Sequence, residues 1–107
     1  MPVLTKYERE TERDTIAFCH SLGMRCKKLK PEGESGWPDR TLMYRGQVMF
    51  LELKRVGLKP EPLQRYVLNE LVNNGFEAKH ASNFEHIKLI ILAWKAYVDH
   101  LHVRLSS

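Results

Sequence analysis

The sequence predicts an α/β domain of the α+β kind: one mixed central sheet flanked by helices, in the order α-β-β-β-α-β-α. Three observations carry this. Segments of helical periodicity end at glycines, two strand-like runs are joined by the dipeptide Arg45-Gly46, and a second helical segment separates that hairpin from a further short strand. A hairpin followed by a helical crossover to another strand implies a sheet with both antiparallel and parallel pairs.

The first helix is expected over residues 5–22, stopped by Gly23. "MRCKKLK" reads as a strand and "PEGESGWP" as a loop rich in residues that break regular structure. Two strands follow, over 40–44 and 47–54, with Gly46 supplying the positive φ of a tight turn. "VGLKPEP" leads to a second helix that has Pro62 near its first turn and Gly75 just past its end. "FEAKHA" forms a fourth strand. "SNFE", from Ser82 to Glu85, has the S-x-x-E form of a capping box and opens a last helix reaching about Leu105.

With 107 residues and no linker or repeat, the chain is expected to be one domain spanning 1–107. Its 43% hydrophobic and 28% charged residues suit a globular protein and exclude a disordered one. "MPVLTKYERETERD" has no signal-peptide pattern, and "IKLIILAWKAYV", broken by Lys88 and Lys95, is too short to span a bilayer. A cytoplasmic protein of a bacterial or phage-infected cell is expected, with Cys19 and Cys26 as thiols rather than a disulfide or zinc pair. The net charge of +4 suits a polyanionic partner, and "RCKKLK" concentrates it; a solvated edge strand protected by lysines would read the same way.

The informative stretch is "GWPDRTLMYRGQVMFLELKR". In its second strand Val48, Phe50, Glu52 and Lys54 share one face, and Met49, Leu51 and Leu53 the other. Apolar residues on both faces mark a central strand covered on both sides, from which Glu52 and Lys54 emerge at one end. A lone carboxylate there would cost several kcal/mol, so something must compensate it. The short hairpin brings the start of the first strand, held by Pro38, beside the end of the second. Asp39 therefore falls next to Glu52 and Lys54. Two adjacent acids repel, and a hard divalent ion such as Mg²⁺ resolves the repulsion while creating a reaction centre. A salt-bridged strand end with Asp39 as a loop cap is the plainer reading. Two helices add to the first: Glu12 lies on the apolar stripe of the first, near Ile16 and Cys19, and Gln64 on that of the second, among Leu63, Val67, Leu68 and Leu71.

Asp39 followed by Glu52-Leu53-Lys54 has the form of the PD-(D/E)xK nuclease signature. With "TERDTIAFCHSLG", "GWPDR", the "RGQVMFLELK" hairpin and "EPLQRYVLNELVNNGFEA", the chain resembles the stand-alone phage and bacterial type of virus-type replication-repair nuclease (VRR-NUC) domain of that superfamily, with its restriction-endonuclease-like core. The resemblance implies metal binding by Glu12, Asp39, Glu52 and the backbone carbonyl of Leu53, with Mg²⁺ or Mn²⁺ as cofactor. It implies catalytic roles for Asp39, Glu52, Lys54 and Gln64, and hydrolysis of DNA to 5′-phosphate ends. DNA binding is expected from Lys27, Lys28, Lys30, Arg40, Arg55 and Arg65, with Trp37 at the mouth or stacked on an unpaired base. Trp37 is a departure, since a smaller apolar residue is commoner there.

No segment reads as a groove-recognition helix, so selection of branched or four-way junction DNA is expected over selection of a base sequence. The last helix is apolar around much of its circumference, which suggests a two-fold homodimer. Two other readings stay open: a DNA-binding or regulatory module with a nuclease-like fold but no cleavage, and a structural partner in a phage replication or packaging complex. His80, His86, His100 and His102 form no convincing metal set.

Overall fold

The computed structural model describes residues 6–54 and 57–106. Its elements run α1 (Lys6–Ser21), β1 (Arg25–Lys27), β2 (Arg40–Tyr44), β3 (Gln47–Leu53), α2 (Pro62–Asn73), β4 (Glu77–Ala81) and α3 (Phe84–Ser106), in the expected order. The four strands form one sheet in the order β1-β2-β3-β4. β1, β2 and β3 are antiparallel neighbours, and β4 joins β3 in parallel after the α2 crossover.

Alternation along β3 divides the core as its sequence requires. Met49 and Leu51 pack with Cys19 of α1, Leu42 of β2, and Ile87, Ile91, Trp94 and Val98 of α3. Phe50 faces the opposite way, against Val67 and Leu71 of α2 and against Trp37. The protein is therefore three layers, α1 and α3 on one face of the sheet and α2 on the other. Cys19 and Cys26 are free thiols, both buried in the larger cluster. Their contact with each other, together with burial, pushes the Cys19 thiol far above its ordinary range. Among the described residues, no helix is long and apolar enough to cross a membrane.

Hairpin register sets the site. Tyr44 pairs with Gln47 and Arg40 with Leu51, across a turn in which both Arg45 (φ 48°) and Gly46 (φ 78°) are left-handed. That is the geometry of a two-residue turn whose twist matches the strands. Left-handed backbone costs a residue other than glycine on the order of 1–2 kcal/mol. Arg45 offsets part of this by lying over the Tyr44 ring, 5.6 Å from its centroid, with its guanidinium 3.4 Å from Asp99 Oδ1. One step further along the register, Asp39 comes opposite Glu52.

The loop before β2 is equally constrained. Gly36 has φ 82°, and a β-carbon there would lie 2.7 Å from Leu63 Cγ and 3.1 Å from the Leu63 carbonyl oxygen. Glycine thus lets the Gly-x-Pro-Asp turn press onto the first turn of α2. Pro38 is fully buried behind it.

Three expected boundaries shift. β1 ends at Lys27, opposite Thr41 and one residue short of the start of β2 at Arg40; farther on, Asp39 and Pro38, which has no N–H to offer, provide no strand to pair with. Lys28, expected on a strand, is therefore in the loop. α3 begins one residue later than expected: Asn83, not Ser82, is its cap, with Oδ1 accepting the His86 N–H at 2.8 Å. β3 closes at Leu53, and the Lys54 N–H continues the β3–β4 pairing by donating to the Ala81 carbonyl at 2.8 Å.

Candidate active site

Asp39 and Glu52 are tied to each other twice through the backbone. The Asp39 N–H donates to Glu52 Oε1 at 3.2 Å, and the N–H of Leu53, the residue after Glu52, donates to Asp39 Oδ2 at 2.9 Å. Lys54 Nζ lies 3.2 Å from Glu52 Oε2, and Lys30 Nζ 3.8 Å from Asp39 Oδ1. Glu52 is 1% exposed. Burial first, and the neighbouring Asp39 charge second, push its carboxyl up to about 7, against a smaller opposing pull from Lys54.

These groups line a cleft of about 330 Å³. Glu52, Leu53 and Lys54 come from the end of β3 and Asp39 from the start of β2; Tyr7, Glu8, Thr11 and Glu12 come from one face of α1. Lys28 and Lys30 enter from the loop after β1, and Gln64 from the first turn of α2. A larger depression of about 850 Å³ lies elsewhere, between β4 and α3. It holds no converging acids, so we take the smaller cleft as the reactive one.

Among the described residues, no three His, Cys, Asp or Glu side chains stand close enough to hold an ion by themselves. Glu12 lines the same cleft without joining Asp39 and Glu52 in such a group, and one of its oxygens is taken: Arg40 Nε donates to Glu12 Oε1 at 2.9 Å. The donors still suit a hard cation. Two carboxylates, the buried one with burial outweighing the pull of Lys54, line one cleft with Leu53, and such ions accept a few oxygen ligands and keep water for the rest.

Other expected residues have different surroundings. Gln64 Oε1 accepts the Glu61 N–H at 2.9 Å, so its carbonyl caps α2 while its amide nitrogen carries no such bond. Trp37 packs edge-on against Phe50, ring centroids 5.7 Å apart, instead of standing free at the mouth. Arg40 is spent on Glu12 and does not line the cleft. Lys27 and Arg65 are exposed but away from its lining, and Arg55 lies outside the described residues.

Sequence reasoning missed Tyr7, whose hydroxyl donates to the Ser82 carbonyl at 3.2 Å, tying the rim of the cleft to the start of α3. Its signal was available: Tyr7, Glu8, Thr11 and Glu12 follow the spacing of one helical face.

No protein-family model and no curated protein matches the sequence. A solved structure described as a VRR_NUC domain is similar, with 26% identity, a TM-score of 0.76, and an alignment covering 81% of this chain and 96% of that one. The chain has that domain's fold, the nuclease fold its residues resemble.

Proposed function

We propose that this chain, built on the VRR-NUC fold, is a divalent-metal-dependent DNA endonuclease that hydrolyses phosphodiester bonds in branched or four-way junction DNA. It would serve replication, recombination or repair in the cytoplasm of a bacterium or phage-infected cell. One observation carries the reading: Asp39 and the buried Glu52 are locked together, with Lys54 on Glu52, in a cleft whose rim holds Lys28 and Lys30.

Mg²⁺ or Mn²⁺ would be held by Asp39, Glu52 and the Leu53 carbonyl, with Glu12 beside them; bound there, it would acidify water and neutralise charge on the phosphate. Lys54, fixed at its backbone and 18% exposed, can donate to the attacking water or to a phosphate oxygen once Glu52 has another counter-charge. Gln64 can donate through its amide nitrogen to the same phosphate, and its carbonyl oxygen keeps a second lone pair for a water. Attack on phosphorus breaks the bond to the 3′ oxygen and leaves a 5′ phosphate. Lys28 and Lys30 would hold the strand at the cleft, and Lys27, Arg55 and Arg65 would extend the basic surface.

A homodimer with paired sites would account for selection of DNA structure. β4 is an edge strand, and beside it α3 exposes Leu89 and Tyr97 over the large depression, while Leu92, Val103 and Leu105 are further exposed apolar side chains of the same helix. A dimer by light scattering at micromolar concentration is expected; a monomer would remove this part of the reading.

Nicking of supercoiled plasmid, alongside cleavage of a flap and a four-way junction, tests the activity. Cleavage with Mg²⁺ or Mn²⁺ and none with EDTA is expected, fastest on the branched substrates. DNA binding with no cleavage under any metal would favour a non-catalytic module.

A further inference from the structure

Arg40 carries a charge that the scheme above does not use. It opens β2 directly after Asp39, and its side chain is only 13% exposed. Its Nε and Nη2 both donate to Oε1 of Glu12, itself 17% exposed, so Oε2 carries neither bond. Glu12 lines the acidic cleft and Arg40 does not. Both line a shallower depression on the other side, together with Arg9, Arg13 and His20. Glu12 therefore stands between the guanidinium and the cleft.

A free glutamate side chain loses rotamer freedom when it is fixed. A planar guanidinium donating twice to one oxygen imposes that restriction before any ligand arrives. The remaining oxygen is then held on α1, whose Glu12 lines the same cleft as Asp39 and Glu52. Lysine, a point charge on a flexible stem, would keep the charge but not the two-bond grip.

We propose that Arg40 is a positioning residue: gripping Glu12 by Oε1 from behind, it presents Oε2 to the Asp39–Glu52 cleft and so sets how tightly a divalent cation is held there. This rests on the cleft being a metal site, and it assigns Arg40 to Glu12 instead of to DNA.

Mn²⁺ binding to the full chain without DNA, followed by electron paramagnetic resonance of the free ion, tests it. Glu12→Gln and Arg40→Met should each weaken binding roughly tenfold, the lower end for removing the partner that orients a ligand. The double variant should bind no more weakly than Glu12→Gln alone, and Arg40→Lys should recover part of the loss. Affinity in Arg40→Met equal to or above the parent, or an effect that adds fully to that of Glu12→Gln, would overturn the proposal. Should Arg40→Met fail to melt cooperatively, Arg40→Lys decides: a smaller loss that vanishes in the Glu12→Gln background supports the grip, and unchanged affinity removes it. A parent chain that binds no Mn²⁺ at millimolar concentration sinks the metal reading itself, whereas a parent that binds and a Glu12→Gln variant that binds equally well sink only this inference.

Discussion

Asp39 and Glu52 face each other across the β2–β3 register, and each carboxylate accepts a backbone N–H from the other's strand: Glu52 from Asp39 itself, Asp39 from Leu53. The acids are thus fixed by the hairpin and not by side-chain chance. Their mutual repulsion is built into the fold, and several measurable properties depend on it.

In the metal-free chain, Glu52 titrates near 7 when folded, against an ordinary value of 4.5. The folded form holds this proton more tightly than the unfolded chain. The stability it contributes is therefore fully present below about pH 4.5 and lost as pH rises through about 7. The loss is on the order of 3 kcal/mol. Thermal melts in EDTA should show Glu52→Gln gaining on the parent between pH 5 and pH 8. Saturating Mg²⁺ should narrow that gap by stabilising the parent's ionised form. A difference independent of pH would mean that Glu52 is not a strained acid.

Gly36 allows the Asp39 turn to touch α2. Alanine there must both adopt φ 82° and displace Leu63, so Gly36→Ala should lower stability by about 1–3 kcal/mol, read as a fall in urea midpoint. An unchanged midpoint would show that the turn is less tightly seated than its geometry requires.

Among the described residues, the Thr41 hydroxyl is the buried side-chain polar atom without a hydrogen-bond partner. It points from β2 where Phe50 and Lys27 pair on either side. Replacing it with a methyl removes an unmet desolvation cost, so Thr41→Val should be neutral or stabilising by about 1 kcal/mol in the same melts. A clear loss would imply an ordered water there.

Lys28 and Lys30 line the cleft from the loop after β1, both exposed, with Lys30 3.8 Å from Asp39. Replacing either with alanine should weaken DNA binding uniformly across sequences. It should also reduce the slope of log affinity against log salt by about one unit each. Lys27→Ala, away from the lining, should change the slope less.

Much of the site was legible because it depends on register, and the Arg45-Gly46 turn leaves one register open. Asp39, Glu52 and Lys54 could be brought together from sequence alone. Glu12 and Gln64 were correctly aimed inward by helical periodicity, but their partners were not foreseeable by the same means. Glu12 meets Arg40, 28 residues away, through a side-chain choice that spacing does not encode. The capture of Gln64 by Glu61 was readable, since glutamine three residues after a cap is a known signature, yet its place on the apolar arc drew attention first. The seven-residue strand expected around Cys26 keeps only Arg25–Lys27, paired with Met43, Leu42 and Thr41 near the end of β2. Strand length depends on the neighbouring strand, which a local pattern cannot report.

The central claim is that Asp39, Glu52 and Lys54 form a metal-dependent hydrolytic centre. The most direct measurement is the single-turnover rate of plasmid nicking in Mg²⁺ by the parent, Asp39→Asn and Lys54→Ala chains, each verified as folded. The account predicts cleavage by the parent that EDTA abolishes, and losses of about 100-fold or more in both variants. Cleavage by either variant at the parent's rate would contradict it.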